Sequence, residues 1–351
     1  MKSENPSVAL IFGGRGFEHD ISIRGAEYVY PLIDTKNYNK IPVYVRRDGA
    51  WIIPAMRSIP ACPRALADEA IPVMECSPVF INSFCGLKTE SSFVPILSAF
   101  PLLHGDYGED GVVQGALENA RIPYVGCNTQ ASAVARDKCY VKLIAKHLGI
   151  PTAKWLYVTG EPDDDAFKNA EKIIGYPMFI KPARLGSSVG AGVACCREDL
   201  IKLLTSALKM GSGRALIEER ITVSKELECG YFSTKSKELF TRIGEISFEN
   251  GFYDYEAKYH LNTAKIFSQA EISFEEERLL HSYARRLVAF LGLRGISRID
   301  FFRTKDGEIY FNEINTMPGF TEKSLYPRLM EESGISPSEL INLLISDATQ
   351  A

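Results

Sequence analysis

The stretch Ile296-Ser-Arg-Ile-Asp-Phe-Phe-Arg-Thr-Lys-Asp-Gly-Glu-Ile-Tyr-Phe-Asn-Glu-Ile-Asn315 decides how the rest of the chain is read. Two β-rich runs flank Asp306-Gly307, a dipeptide that predicts a two-residue hairpin turn. Such a turn sets Asp300 opposite Glu313 and Arg298 opposite Asn315. Strand side chains alternate, so these four share one face, while Ile299 opposite Ile314 suits the other face to a core. Opposed Cβ atoms lie about 5 Å apart, where like charges repel. Asp300 can face Glu313 only with positive charge between them. A divalent cation that prefers oxygen ligands is the natural candidate, and Asn315 adds a neutral oxygen. The expectation is a magnesium site of Asp300, Glu313 and Asn315. The competing reading is a solvated polar sheet face.

Two segments could handle phosphate. Phe179-Ile-Lys-Pro-Ala-Arg-Leu-Gly-Ser-Ser-Val-Gly190 runs from a strand into a glycine loop. Glycines let backbone N–H groups approach an anion, and Lys181 ends the strand within reach of one. It is not a P-loop, since G-x-x-x-x-G-K-[ST] is missing, and a surface turn fits the loop equally well. Lys138 begins a helix after Asp137 and by itself signals nothing. The early Gly13-Gly14-Arg15-Gly16 lacks the third glycine of a dinucleotide fingerprint, because position 19 is His, which argues against a nicotinamide enzyme. Leu216-Ile-Glu-Glu219, ahead of Glu226 and Glu228, reads either as an acidic hinge for adenine and ribose or as a solvated edge.

At 351 residues the chain has room for two or three domains of about 150 residues. Hydrophobic residues make up 46 % and charged residues 24 %, which excludes collagen, coiled coil and a long disordered chain. The net charge of −4 gives no global field for nucleic acid or anionic lipid. Eight scattered cysteines without C-x-x-C or zinc spacing read as buried thiols of a reducing compartment. The polar start lacks a signal-peptide core, and the most apolar stretch, 93–103, is shorter than the roughly 18 residues a membrane span takes. The expectation is a cytoplasmic protein with neither nucleic-acid nor membrane partners.

The pattern predicts strands at 8–12, 41–45 and 99–103 and helices from 22 and over 111–120, an open α/β unit. A helix over 138–148 stops at Gly149-Ile-Pro151. Strands at 178–180, 214–218 and 228–232 follow, then a long helix over 271–292, the hairpin and a last helix near 337–345. The expected domains are 1–125, 126–218 and 219–351.

Together these segments resemble the D-alanine–D-alanine ligase family, of the ATP-grasp fold. The carriers are Gly13-Gly14 with Glu18-His-Asp-Ile-Ser22, Leu103-His-Gly with Gly108-Glu-Asp-Gly111, Lys181-Pro with Gly186-Ser-Ser-Val-Gly190, Tyr253-Asp-Tyr-Glu-Ala-Lys-Tyr259, Ser297-Arg-Ile-Asp300, and Asn312-Glu-Ile-Asn-Thr-Met-Pro-Gly-Phe-Thr321. The resemblance runs from Val8 to Ile345. It implies an α/β fold of three domains, an N-terminal open α/β domain followed by central and C-terminal domains that hold ATP between them.

The resemblance also implies residue roles. Lys138 and Lys181 would meet the phosphates, with Lys258 beside them. Glu218, Glu219 and Ile221 would form the adenine hinge and Glu226 would hold the ribose; the usual Gly-Arg-Glu before the ribose contact reads Ser224-Lys-Glu226 here. Two Mg²⁺ ions, replaceable by Mn²⁺, would sit on Asp300, Glu313 and Asn315. Glu18 would take the first substrate's ammonium and join Ser187 and Tyr259 in a closing loop. Arg298 and the Gly319 N–H would stabilise an oxyanion. His104 would lie near the second substrate, though without the family a satisfied core histidine is the plainer reading. Ser324 and Leu325 would line the second pocket. The implied activity joins two D-alanine molecules through an acyl phosphate, for peptidoglycan synthesis, in a homodimer. A D-alanine–D-serine ligase is the nearest alternative, and a silent nucleotide-binding regulator is the alternative of another class.

Overall fold

The computed structural model describes residues 5–55, 62–248 and 264–350, whose strands form three sheets. The first holds β1 (Ser7–Gly13), β2 (Asn39–Val45), β3 (Trp51–Pro54), β4 (Val73–Ile81), β5 (Phe84–Lys88), β6 (Phe93–Pro95) and β7 (Ser98–Pro101) in the order β6-β5-β4-β3-β2-β1-β7. β1 lies between parallel β2 and β7. Its residues Val8 to Phe12 are uniformly apolar and at most 1 % exposed, as a strand covered on both faces requires.

The strand–helix alternation expected of this unit describes the middle of the sheet but not its edge. β3 to β6 pair antiparallel. β4 carries Pro78 and exposed Phe80 and Ile81, so it lacks the clean alternation that marks a half-buried strand. The helix after β1 spans His19–Val29, three residues ahead of its expected start. Ser22 accepts from Gly13 N at 2.8 Å and donates to Leu102 O, which anchors this helix to the sheet.

The second sheet is antiparallel: β8 (Trp155–Thr159), β9 (Met178–Pro182), β10 (Gly192–Ala194) and β11 (Arg214–Glu219), ordered β10-β9-β11-β8. Helices Asp164–Ile173 and Arg197–Met210 bury Phe167, Leu200 and Leu204 against Met178, Ile180 and Ile217. Alternation then sends Lys181 and Glu218 to the opposite face.

The third sheet is β12 (Val223–Ser233), β13 (Glu238–Phe248), β14 (Ala264–Phe267), β15 (Ile296–Thr304) and β16 (Ile309–Asn315), ordered β14-β13-β12-β15-β16. Helix Phe274–Leu291 starts in a capping box of Ser273 and Glu276 and ends at left-handed Gly292. Its Leu280, Ala284 and Leu287 pack on Leu227, Cys229 and Ile299. The uncovered face presents Glu226, Glu228, Arg298 and Asp300. The last helix, Pro337–Ala348, returns to the first sheet, where Leu340, Ile341 and Leu344 join Val8, Leu10 and Phe100.

All eight cysteines are free. Cys76, Cys127, Cys139 and Cys229 are buried as expected, but Cys85 is half-buried and Cys62, Cys195 and Cys196 are exposed. Cys62 and Cys196 occupy helix N-cap positions, which lie at the surface. Among the described residues no helix is long and apolar enough to cross a membrane.

Candidate active site

β15 and β16 pair Arg298 with Asn315, Ile299 with Ile314 and Asp300 with Glu313, the register expected at this end of the hairpin. The turn that leads there differs from expectation. It occupies 305–308, closed by Thr304 N to Glu308 O at 2.9 Å and Gly307 N to Thr304 O at 3.2 Å. Arg303 therefore pairs with Ile309, one residue off a two-residue turn. The pairs Phe301–Phe311 and Asp300–Glu313 leave Asn312 as an extra residue, and this bulge restores the register. Asn312 and Glu313 consequently both line the cleft.

The positive charge that the facing carboxylates demand comes partly from side chains. Arg298 grips Asp300 with two bonds, Nε to Oδ1 and Nη2 to Oδ2, each 2.7 Å. Its Nε also lies 3.2 Å from Glu228 Oε2. Burial would pull the guanidinium pKa down, but Asp300 and Glu228 outweigh it and raise it well above its ordinary value. Lys138 Nζ reaches Glu313 Oε2 at 3.2 Å and donates to Leu185 O at 2.7 Å.

A divalent cation remains compatible with this face. Asp300 and Glu313 offer hard oxygens, and Asn315 donates its amide nitrogen to Asp300 at 2.9 Å, which leaves its oxygen as the ligand atom. Among the described residues no group of three or more His, Cys, Asp or Glu forms a metal cage. That donor set fits Mg²⁺, which keeps several waters and commonly binds one or two carboxylates plus substrate phosphates.

The Lys138 helix is held from beneath. Asp137 caps it through Cys139 N at 3.0 Å and pairs with Arg184 and Arg214 at 3.2 and 3.0 Å. Lys138 N also donates to Ala183 O at 3.0 Å. One turn on, Lys142 Nζ lies 2.5 Å from Glu218 Oε1, and Lys181 Nζ lies 2.6 Å from Glu218 Oε2. Burial pushes the Glu218 carboxyl up, but the two lysines overcome it and hold it at about 2. Glu218 is thus enclosed by cations, and its neighbour Glu219 accepts from Lys154 N at 2.7 Å. Ile221 and Glu226 line the same cleft.

A second cleft adjoins the first through Gly186, Ser187, Glu226, Asn312 and Glu313. It is lined by Glu18, His104, Arg298, Asp300, Asn315, Gly319, Ser324 and Leu325. Ser187 and Ser188 take left-handed φ values of 54° and 58°, a conformation that costs a non-glycine residue on the order of 1 kcal/mol. The strain places Ser187 Oγ 2.6 Å from Glu18 Oε1. Ser324 Oγ accepts from Thr321 N at 2.9 Å, closing the turn at 321–324, and a methyl group on Gly319 would stand 3.0 Å from the same oxygen. Leu325 packs with Ile246 and Leu329.

His104 is buried with Nδ1 3.1 Å from Met317 O. Met317 O can only accept, so Nδ1 carries the proton when the ring is neutral. Its Nε2 has no hydrogen-bond partner among the described residues. Burial lowers its pKa, against the pull of Glu18 and Met317 O. A core histidine would be satisfied; this one presents in the cleft wall an acceptor that no described residue meets.

The structure therefore gathers every expected site residue among those described around two joined clefts. Lys258 and Tyr259 fall in 249–263, outside the described residues. Lys142 and Arg136 also line the clefts although sequence reasoning passed them over, and so do Asn312 and Glu228, which it named without giving them a role. Lys142 had a signal: it lies four residues after Lys138, on the same helix face.

The chain is similar to known proteins over nearly its whole length. The family model described as D-ala D-ala ligase N-terminus matches residues 7–127, and the one described as D-ala D-ala ligase C-terminus matches residues 144–346. Among curated relatives, the D-alanine–D-alanine ligase of Acetivibrio thermocellus is 39% identical over 367 residues, covering 98% of this chain and 96% of that protein. That of Ruminiclostridium cellulolyticum is 40% identical, covering 96% and 94%. Among solved structures, the VanG D-Ala:D-Ser ligase from Enterococcus faecalis superposes with TM-score 0.87 at 32% identity, over 98% of this chain and 99% of that one. The D-alanine–D-alanine ligase from Coxiella burnetii gives 0.85 at 26%, over 99% and 95%.

Proposed function

The chain belongs to the D-alanine–D-alanine ligase family, with its ATP-grasp fold, and on that premise we propose that it joins two D-alanine molecules into D-alanyl-D-alanine for peptidoglycan synthesis, converting ATP to ADP and phosphate. The observation that carries this reading is the shared wall of the two clefts. Glu313 lines both clefts, and its neighbours across and along the hairpin, Asp300 and Asn315, line the second, which supports a nucleotide in the first cleft meeting amino acids in the second at this face.

In this reading the carboxylate of the first D-alanine attacks the γ-phosphorus of ATP, and ADP leaves. Both reactants are anions, so the barrier falls by neutralisation and positioning. Lys138 and Lys181 meet the phosphates. The Glu218–Ile221 strand end borders the adenine and Glu226 the ribose. Asp300, Glu313 and Asn315 would hold two Mg²⁺ ions, or Mn²⁺ in their place, and metal bound there would neutralise phosphate charge. Glu18, clasped by Ser187, receives the first ammonium.

The amine of the second D-alanine, near His104, then attacks the acyl-phosphate carbonyl. Arg298 and the Gly319 N–H stabilise the tetrahedral oxyanion, and phosphate departs. Ser324 shapes the turn at the second pocket, and Leu325 offers it methyl groups. The family resemblance gives Lys258 and Tyr259, which lie outside the described residues, to a lid that would exclude water able to hydrolyse the acyl phosphate. The enzyme acts in the cytoplasm as a homodimer.

The D-serine alternative is not favoured, since the curated relatives above are D-alanine–D-alanine ligases. Leu325 agrees: one apolar contact disfavours a hydroxymethyl by about 1–3 kcal/mol. A silent binder is disfavoured by six polar residues, Lys138, Lys181, Arg298, Asp300, Glu313 and Asn315, brought to one place. ADP release with ATP and D-alanine tests turnover, and product analysis with added D-serine or D-lactate tests the second site. Absence of ADP, or preferential mixed product, reverses the respective assignment.

A further inference from the structure

Arg136 is a buried arginine at the last turn of helix Thr129–Arg136, two residues before Lys138. Its Nη1 lies 3.2 Å from Glu109 Oε2 and its Nη2 3.2 Å from Asp106 Oδ1. Those contacts alone describe a structural arginine that neutralises the loop after His104. Two glycines show how close it lies to Glu18. A methyl group on Gly186 would stand 3.1 Å from Arg136 Nη1 and 3.5 Å from Glu18 Oε2. A methyl group on Gly105 would stand 2.6 Å from Glu18 Oε2 and 3.6 Å from Arg136 Nη2. The guanidinium and the Glu18 carboxylate therefore share one narrow space between the His104 loop and the glycine loop.

We propose that Arg136 is a positioning residue for the first amino-acid subsite. Its fork is fixed on one side by Glu109, which is itself held by Gly105 N at 3.0 Å. From there its charge keeps Glu18 in place beneath the Gly186–Ser187 turn, so that Ser187 can clasp Glu18 and the carboxylate presents to an incoming ammonium. The inference rests on the reading above that Glu18 receives the first D-alanine. It adds the group that sets where Glu18 stands. A displacement of about 1 Å at such a contact can cost on the order of 100-fold in rate.

The test compares wild type with Arg136→Met, Arg136→Lys and the double variant Arg136→Met/Glu109→Gln, which removes both charges and so avoids stranding a buried carboxylate. The two D-alanine Michaelis constants are resolved from the full rate curve, the ATP constant is measured separately, and thermal midpoints are recorded. The expected result is a first-site D-alanine constant raised about tenfold or more in Arg136→Met and in the double variant. The ATP constant should stay within about threefold, Arg136→Lys should recover part of the loss, and the double variant should regain thermal stability without regaining affinity. A folded double variant with an unchanged first-site constant overturns the inference alone, as do equal losses for ATP and D-alanine. Wild-type protein that forms no ADP with D-alanine overturns the ligase reading and this inference together.

Discussion

Ser187 Oγ donates to Glu18 Oε1 at 2.6 Å across 169 residues of chain. This bond ties the helix after the first strand to the glycine loop of the second sheet, and it spans the line where the two clefts meet. Disturbing it should affect D-alanine before ATP. Ser187→Ala and Glu18→Gln are each expected to lower kcat/KM for D-alanine. In the double variant the losses should fall short of additive by a coupling of about 0.5–3 kcal/mol. A double-mutant cycle of initial rates measures this, and strict additivity would show that the clasp does not act as a unit.

Asp300 has two tasks. It is a ligand atom source for Mg²⁺ in the proposed reaction and it is the bidentate partner of Arg298. Asp300→Asn keeps the shape and the Asn315 neighbour but removes the charge. Turnover should fall on the order of 100- to 1000-fold, the scale of losing one preorganised electrostatic contact. The apparent requirement for Mg²⁺ should rise in the same variant. Phosphate release measured across a magnesium titration, after chelator treatment, checks both; an unchanged titration would falsify the metal role of this face.

The hairpin is legible because side-chain alternation in a strand is strict, so spacing alone puts Asp300, Glu313, Arg298 and Asn315 on one face. The turn was less legible. A bulge at Asn312 depends on how Phe311 packs against Phe301, which itself packs on Tyr283 in the core, and no local pattern reports this. The longer turn and the bulge compensate, and the expected pairs at the metal end survive. Lys138 and Ser187 became meaningful through the family motifs rather than through physics. Arg136 had no signal, since a basic residue in the last helical turn is ordinary. The antiparallel edge β3 to β6 was hidden by short strands that break alternation.

Lys142 offers a separate check on the cation cluster. It is 1 % exposed and shares Glu218 with Lys181. Lys142→Met leaves Lys181 as the partner of a buried carboxylate, with an expected loss of about 1–3 kcal/mol in stability. Glu218 has a depressed pKa, so its stabilisation is present in full above its ordinary 4.5 and fades only as pH falls toward about 2. The destabilisation should therefore be undiminished at neutral pH. The ATP constant should also rise, because Lys181 would share Glu218 with no second lysine to balance it. Urea unfolding and an ATP titration read the two effects, and a variant as stable as wild type would show that Lys142 is not needed to hold Glu218.

His104 gives the protein an acid-sensitive position. Burial lowers its pKa below the ordinary 6.5; Arg298 adds to this, while Glu18 and the Met317 carbonyl oppose it. In the unfolded chain the imidazole takes its proton near 6.5, whereas the folded one takes it only at lower pH. Between those two values the unfolded state holds more protons, so stability falls as pH drops through about 6.5 and is unaffected by this group above it. His104→Gln cannot titrate and keeps a side-chain N–H able to meet Met317 O. Stability of wild type relative to this variant should accordingly shrink on going from pH about 7.5 to about 5. Urea midpoints of the two proteins across that range measure the difference. Parallel curves would mean that His104 is protonated as readily in the folded protein as in the open chain, and the neutral acceptor assigned to Nε2 in the cleft wall would have to be given up.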